Sequence, residues 1–306
     1  MTSGSGPPVP VLMAHSPFQR VLAGFRQRQT AESLGRLGPI PRARSLCVVS
    51  GKGGTGKSVI TASLARVFAH SKRTLLVDAD LGVGNAHILQ GHTPKSSLAD
   101  LFSGRSPESL VEPVGPQLDL LAGGSGVARL ASASHSDLAR IGDALATLER
   151  AYGYLLADCG AGISEATLAI ARSADRVIVV TTPDLTAMTD AYAFLKLLGI
   201  PRSGPAPMLL VNRAASAEVA ADTAERVQKV AYRFLGRAPE WIGWIPNDAD
   251  VMASVNARKP FIEFAPQAPA TTALLEIAVV IREALEAVHP GGLGRHLAAD
   301  PRAVRA

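Results

Sequence analysis

The stretch SGKGGTGKSVI (residues 50–60) decides the fold. Residues 51–58 follow the spacing G-x-x-x-x-G-K-S of a phosphate-binding loop. The loop leaves an aliphatic run, LCVVS (46–50), and opens a helical pattern near residue 57, the context that gives such a motif its meaning. Glycines at Gly51, Gly53, Gly54 and Gly56 let the backbone around Thr55 curl, so that successive N–H groups face inward. The positive end of the following helix adds to that field. One lysine, Lys57, stands where such a loop needs it, and a second, Lys52, stands at its start.

Working outward, short aliphatic runs alternate with helical patterns. Strands are predicted at 46–50, 74–79, 118–122, 154–159, 176–182, 207–212 and 241–245, and helices at about 57–70, 136–151, 164–172, 186–198, 216–235 and 270–287. Continuous apolar strands alternating with helices imply an α/β fold: a mainly parallel twisted sheet with helices on both faces, three layers in all. Such a sheet binds ligands at the carboxyl ends of its strands. The tail after residue 288, HPGGLGRHLAADPRAVRA, reads as flexible, being polar and rich in Gly and Pro. The organisation is then a basic N-terminal arm (1–45), one large α/β domain (46–288) and a tail (289–306).

The loop implies a nucleoside triphosphate. Lys57 should reach its β- and γ-phosphates, and the Ser58 hydroxyl should ligate Mg²⁺. A carboxylate for that metal is expected at a strand end, and YLLADCGAG (154–162) supplies Asp158. TLLVDADLGVGN (74–85) ends another strand with Asp78 and Asp80, two positions apart and so on one face. They either serve the metal and the attacking water or cap the segment that follows.

Composition bounds the rest. An apolar fraction of 47% suits a large buried core, and with aromatics at 5% that core must be aliphatic. Cys47 and Cys159 sit in apolar runs and read as buried thiols. The seven histidines are scattered and read as surface or packing residues. The first twenty residues lack a basic, apolar leader pattern, and no run is long enough to span a bilayer, so a cytoplasmic location is expected. Residues 1–45 carry six arginines against one glutamate, the whole of the net charge of +5. The remainder is neutral.

KGGTGKS (52–58) resembles the deviant Walker A motif of the MinD/ParA ATPases, in which an extra lysine precedes the loop. VDADLGVGNAHILQG (77–91) and LLADCGAGI (155–163) resemble the two switch segments of that family, and the similarity runs from about residue 44 to residue 287. SLADLFSG (97–104), LDLLAGGSG (118–126), VVTTPDLTAMTDAYAFLK (179–196) and the stretches 211–236 and 241–266 look like its flagellar-number regulator branch, FlhG. The resemblance implies hydrolysis of ATP to ADP and a homodimer when ATP is bound, with Lys52 reaching the phosphates of the second copy. It also implies Asp80 as the residue that orients water, and Asp78, Asn85 and Asp158 around metal and γ-phosphate. Asn212, Pro246 and Asp248 would contact adenine. Implied partners are an FlhF-like GTPase or flagellar switch and regulatory proteins, with a weak contact at the inner face of the cell membrane. The alternative within the family is a ParA-like ATPase that positions DNA or another cargo, for which the basic arm would supply phosphate contacts. Two departures stand out. QTAESLGRL (29–37) only partly matches the branch's N-terminal GTPase-activating motif, and the tail has few large apolar residues for a membrane-targeting helix.

Overall fold

Aliphatic runs buried on both faces make the strands, and alternation along each strand sorts their side chains between two cores. Strand β1 (Arg44–Ser50) sends Leu46 and Val48 to one face and Cys47 and Val49 to the other. The other strands are β2 (Thr74–Ala79), β3 (Val111–Gly115), β4 (Leu118–Leu121), β5 (Tyr154–Ala161), β6 (Arg176–Thr181), β7 (Met208–Ala214) and β8 (Glu240–Pro246). They form one sheet in the order β3-β4-β2-β5-β1-β6-β7-β8. All neighbours are parallel except β3, which pairs antiparallel with β4 at one edge. The structure, a computed structural model, describes residues 42–124, 130, 132–200 and 206–299. Most of the basic arm with its 29–37 motif, most of the turn at 202–207 and the last seven residues lie outside the described residues.

The helices are α1 (Lys57–Ala69), α2 (Ala86–Leu89), α3 (His135–Leu148), α4 (Glu165–Ser173), α5 (Leu185–Leu198), α6 (Ala217–Leu235), α7 (Ala249–Asn256), α8 (Phe261–Phe264), α9 (Pro269–Glu286) and α10 (Leu293–Ala299). Helices α3 to α6 begin at residues that cap them: the side chains of Ser134, Ser164, Asp184 and Ser216 each accept a backbone N–H from the first turn. Helices α1 and α9 cover one face of the sheet through Ile60, Leu64, Phe68, Leu274 and Ile281. Helices α3 to α6 and α10 cover the other. Each fully buried large side chain contributes about 1.5–3 kcal/mol. Phe68 also meets the Tyr154 ring edge-on, with centroids 4.7 Å apart. Cys47 and Cys159 are buried free thiols with sulfurs 3.0 Å apart. Among the described residues no helix is long and apolar enough to cross a membrane.

The described part of the tail, residues 289–299, departs from the sequence expectation. It is not a loose end: α10 packs on α3 and buries Leu293 and Leu297 completely. The glycines that suggested flexibility are the reason it packs. A Cβ on Gly142 would lie 2.5 Å from the Ala298 nitrogen, and one on Gly294 would lie 2.1 Å from the Ala146 nitrogen, so only glycine lets the two backbones approach this closely. Two buried carboxylates hold the strap at its start. Glu149 Oε1 accepts the Gly294 N–H at 2.8 Å, and Asp175 Oδ1 accepts the Gly291 N–H at 2.7 Å.

That docking is expected to depend on pH. Burial, with the Asp175 charge nearby, pushes the Glu149 carboxyl up to about 7, against an ordinary 4.5 in the unfolded chain. The folded form therefore binds more protons between those values. The stability associated with Glu149 is fully present below about 4.5 and is lost as pH rises through 7, a swing on the order of 3 kcal/mol. Thermal melts of the nucleotide-free protein should fall between pH 5 and pH 8. Glu149→Gln should flatten that fall in part, since Asp78 is shifted in the same direction. Superimposable pH profiles for the two proteins would contradict this.

Candidate functional site

The residues proposed from the sequence for the nucleotide site lie towards or beyond the carboxyl ends of strands. β1 runs into the loop of residues 51–56, and α1 starts at Lys57 with no acidic residue in its first turn. Gly54 and Gly56 hold φ values of 80° and 89°, conformations that suit glycine and bend the loop back on itself. Around Gly54 there is open space, whereas a Cβ on Gly56 would strike the Asn212 amide. Gly51 packs on the backbone of Asp190, and Gly53 lies near the Ala161 methyl. The Thr55 hydroxyl is buried without a protein partner.

The Lys57 ammonium lies inside this loop, nearly buried. It donates to Ser58 Oγ at 3.0 Å and to Asp158 Oδ1 at 3.3 Å. Asp158 stands opposite Asp78 in the pairing of β5 with β2, so two buried carboxylates face one another. Desolvation, then the Asp158 charge, raises Asp78 to about 7. Burial also pushes Asp158 upward, against the pull of Lys57 and Ser58. Two carboxylates, a hydroxyl and an ammonium in a low-dielectric pocket are a donor set that suits a Mg²⁺–phosphate complex. The loop's open side at Gly54 and the unpartnered Thr55 hydroxyl fit such a ligand as well.

The two aspartates after β2 also organise their own loop. Asp78 accepts N–H groups from Ala86 and Asp80, and Asp80 Oδ1 accepts those of Gly82 and Val83, both at 3.2 Å. Asn85 is exposed and donates to the Val83 carbonyl within that loop. On the other side Asn212 is buried, and its amide donates to the Thr55 carbonyl at 2.7 Å. Pro246 ends β8, and Asp248 caps α7 by accepting the Asp250 N–H while its other carboxylate oxygen accepts the Ala270 N–H at the start of α9. The structure thus joins Lys57, Ser58, Asp158 and Asp78 in one cluster. Asn212, in β7, packs against the loop of residues 51–56, and Asp80 and Asn85 lie on the loop that follows β2.

Lys52 stands apart from this cluster, at the mouth. Its ammonium donates to Thr186 Oγ1 at 2.6 Å and to Asp184 Oδ1 at 3.3 Å, and about half of each ion-pair side chain is exposed. Hydrogen bonds from Thr182, Thr186 and the Ala187 N–H hold the Asp184 carboxyl well below the usual range, with Lys52 adding to them. Sequence reading did not single out Asp184 and Thr186. The available signal was TTPDLT (181–186), an Asp before a helical run, which is an N-cap pattern. It also passed over Arg213, whose guanidinium donates to the Gly54 carbonyl.

Comparison with known proteins agrees with this geometry. The chain is 31% identical over 245 residues to the antiactivator FleN of Pseudomonas aeruginosa, a match covering 79% of this chain and 88% of that one. It is 31% identical over 245 residues to the flagellum site-determining protein YlxH of Helicobacter pylori, covering 79% and 82%. Among solved structures, the septum site-determining protein MinD of Pyrococcus horikoshii, complexed with Mg-ADP, shares the fold. It superposes with a TM-score of 0.66 at 24% identity, over 78% of this chain and 96% of that one. Residues 46–265 match the CobQ/CobB/MinD/ParA nucleotide binding domain, and the chain belongs to that family.

Proposed function

We propose that this protein is an ATP-switched, dimerising ATPase of the MinD/FlhG kind that regulates the number or placement of a surface organelle, the flagellum. One observation carries the switching part: the two lysines of the loop occupy different places. Lys57 is buried against Asp158, whereas Lys52 is half-exposed at the mouth, held by a weak surface contact. The first belongs to the chain's own nucleotide and the second is free to serve another copy's. The organelle is suggested by the names of FleN and YlxH, each more than four-fifths covered by this chain.

In this reading the backbone of Gly51, Lys52, Gly53, Gly54, Thr55 and Gly56 cradles the chain's own phosphates, and Lys57 neutralises the β- and γ-phosphate oxygens. Ser58 and Asp158 hold Mg²⁺, with Asp78 behind them. Mg²⁺ when bound supplies positive charge to the phosphate oxygens. Asp80 orients the attacking water, which displaces ADP from the γ-phosphorus and yields phosphate. Positioning and positive charge supply most of the rate in such reactions. Asn212, Pro246 and Asp248 surround the base.

The organelle assignment is tested by deleting the gene in its own host and counting flagella per cell by electron microscopy. Changed number or position is expected, and restoration should require an intact Lys57. A deletion strain with normal flagella would send the assignment elsewhere in the family.

A further inference from the structure

Consecutive residues of a strand point to opposite faces of the sheet. At the end of β7 this rule is broken. Asn212 donates to the Thr55 carbonyl at 2.7 Å, and its neighbour Arg213 donates through Nη1 to the Gly54 carbonyl at 3.3 Å. Both side chains therefore grip the same loop from outside.

The backbone explains how. Arg213 holds a φ of 58°, in the left-handed region, and the pairing of β7 with β8 slips between Asn212 and Ala214. A non-glycine residue there is uncommon and strained. Arginine has no short side chain to bond its own backbone, as asparagine or aspartate would in this conformation. Such strain persists where the surroundings over-determine it, and it clusters at functional sites.

The grip has a consequence for the other side of the loop. In a trans peptide unit the carbonyl and the N–H point in opposite directions. The Gly54 carbonyl shares its unit with the Thr55 N–H, and the Thr55 carbonyl shares its unit with the Gly56 N–H. Drawing both carbonyls outward turns both N–H groups inward. We propose that Arg213 is a positioning residue for nucleotide binding: together with Asn212 it orients two successive peptide units of the phosphate loop before the nucleotide arrives. Donors set in advance need no reorganisation on binding, which is where preorganisation gains its effect. This inference rests on the reading of residues 51–58 as the nucleotide site.

The test uses the full chain with Arg213→Gly. Glycine adopts this φ without strain, so the melting temperature should stay level or rise. Affinity for a fluorescent ATP analogue with Mg²⁺ should nevertheless fall about three- to tenfold, the loss of one hydrogen bond to the loop. Arg213→Lys keeps a donor within reach and should recover most of the affinity. Loss of affinity with unchanged or higher stability, reversed by lysine, supports the proposal. Binding by Arg213→Gly within twofold of the natural chain overturns it. So does a fall in affinity that merely accompanies a fall in melting temperature, since Arg213 would then be structural. Failure of the natural chain to bind the analogue overturns the nucleotide reading itself, and this inference with it.

Discussion

Replacing Lys57 with alanine should abolish ATP binding and hydrolysis together. Its ammonium is the one cation inside the loop among the described residues, with 8% of its side chain exposed, bonded to Ser58 and Asp158. A charge-assisted hydrogen bond contributes about 1.5–3 kcal/mol, and Lys57 is placed to make more than one to the phosphates. Affinity should therefore drop by about a hundredfold or more. The fold should survive. Removing one partner of a buried ion pair usually costs about 3–5 kcal/mol because a bare charge remains. Asp158, however, already has its pKa raised by burial and can take up a proton instead. A cooperative thermal transition, no measurable binding of a fluorescent ATP analogue and no phosphate release are the expected results. Normal hydrolysis in this variant would remove Lys57 from the site.

Lys52→Ala should separate the two activities that Lys57→Ala removes at once. The contact of Lys52 with Asp184 is solvent-exposed on both sides, and such pairs contribute only about 0–1 kcal/mol. Its loss should leave the fold and the binding of ATP by single chains within about threefold of normal. The same weakness means that Asp184 and Thr186 hold Lys52 only lightly, so that it can move to the phosphates of a facing copy. If it does, it supplies positive charge where charge develops in the transition state, and removing one such donor costs about 10²–10³ in rate. Hydrolysis measured at rising protein concentration should then stay at a low, concentration-independent level. A variant with full activity would show that Lys52 has no role across an interface.

The parts that were legible in the sequence share a physical cause. Buried parallel strands read as unbroken aliphatic runs, so all seven predicted strands are present. β3 was not legible because VEPVG carries a proline and is only partly buried at the sheet edge. The loop of residues 51–58 announced itself by spacing alone. The places of Lys57 and Asp158 in one cluster followed from the rule that ligands bind at strand ends. The contact of Lys52 with Asp184 joins residues 132 positions apart and left no local pattern. Nor does any residue type betray the left-handed backbone at Arg213. Residues 289–299 of the tail were misread because glycine signals two opposite things, a chain free to move and a backbone close enough to touch another. Only the facing Gly142 distinguishes them.

The central claim is that ATP brings two copies together through this site. Sedimentation velocity of the Asp80→Ala chain tests it most directly, since loss of the residue proposed to orient water should let the ATP-bound state accumulate. With ATP and Mg²⁺ the protein should sediment as a dimer, with ADP as a monomer, and adding Lys52→Ala should return the ATP-bound protein to monomer. A single monomeric species under all three conditions would contradict the account.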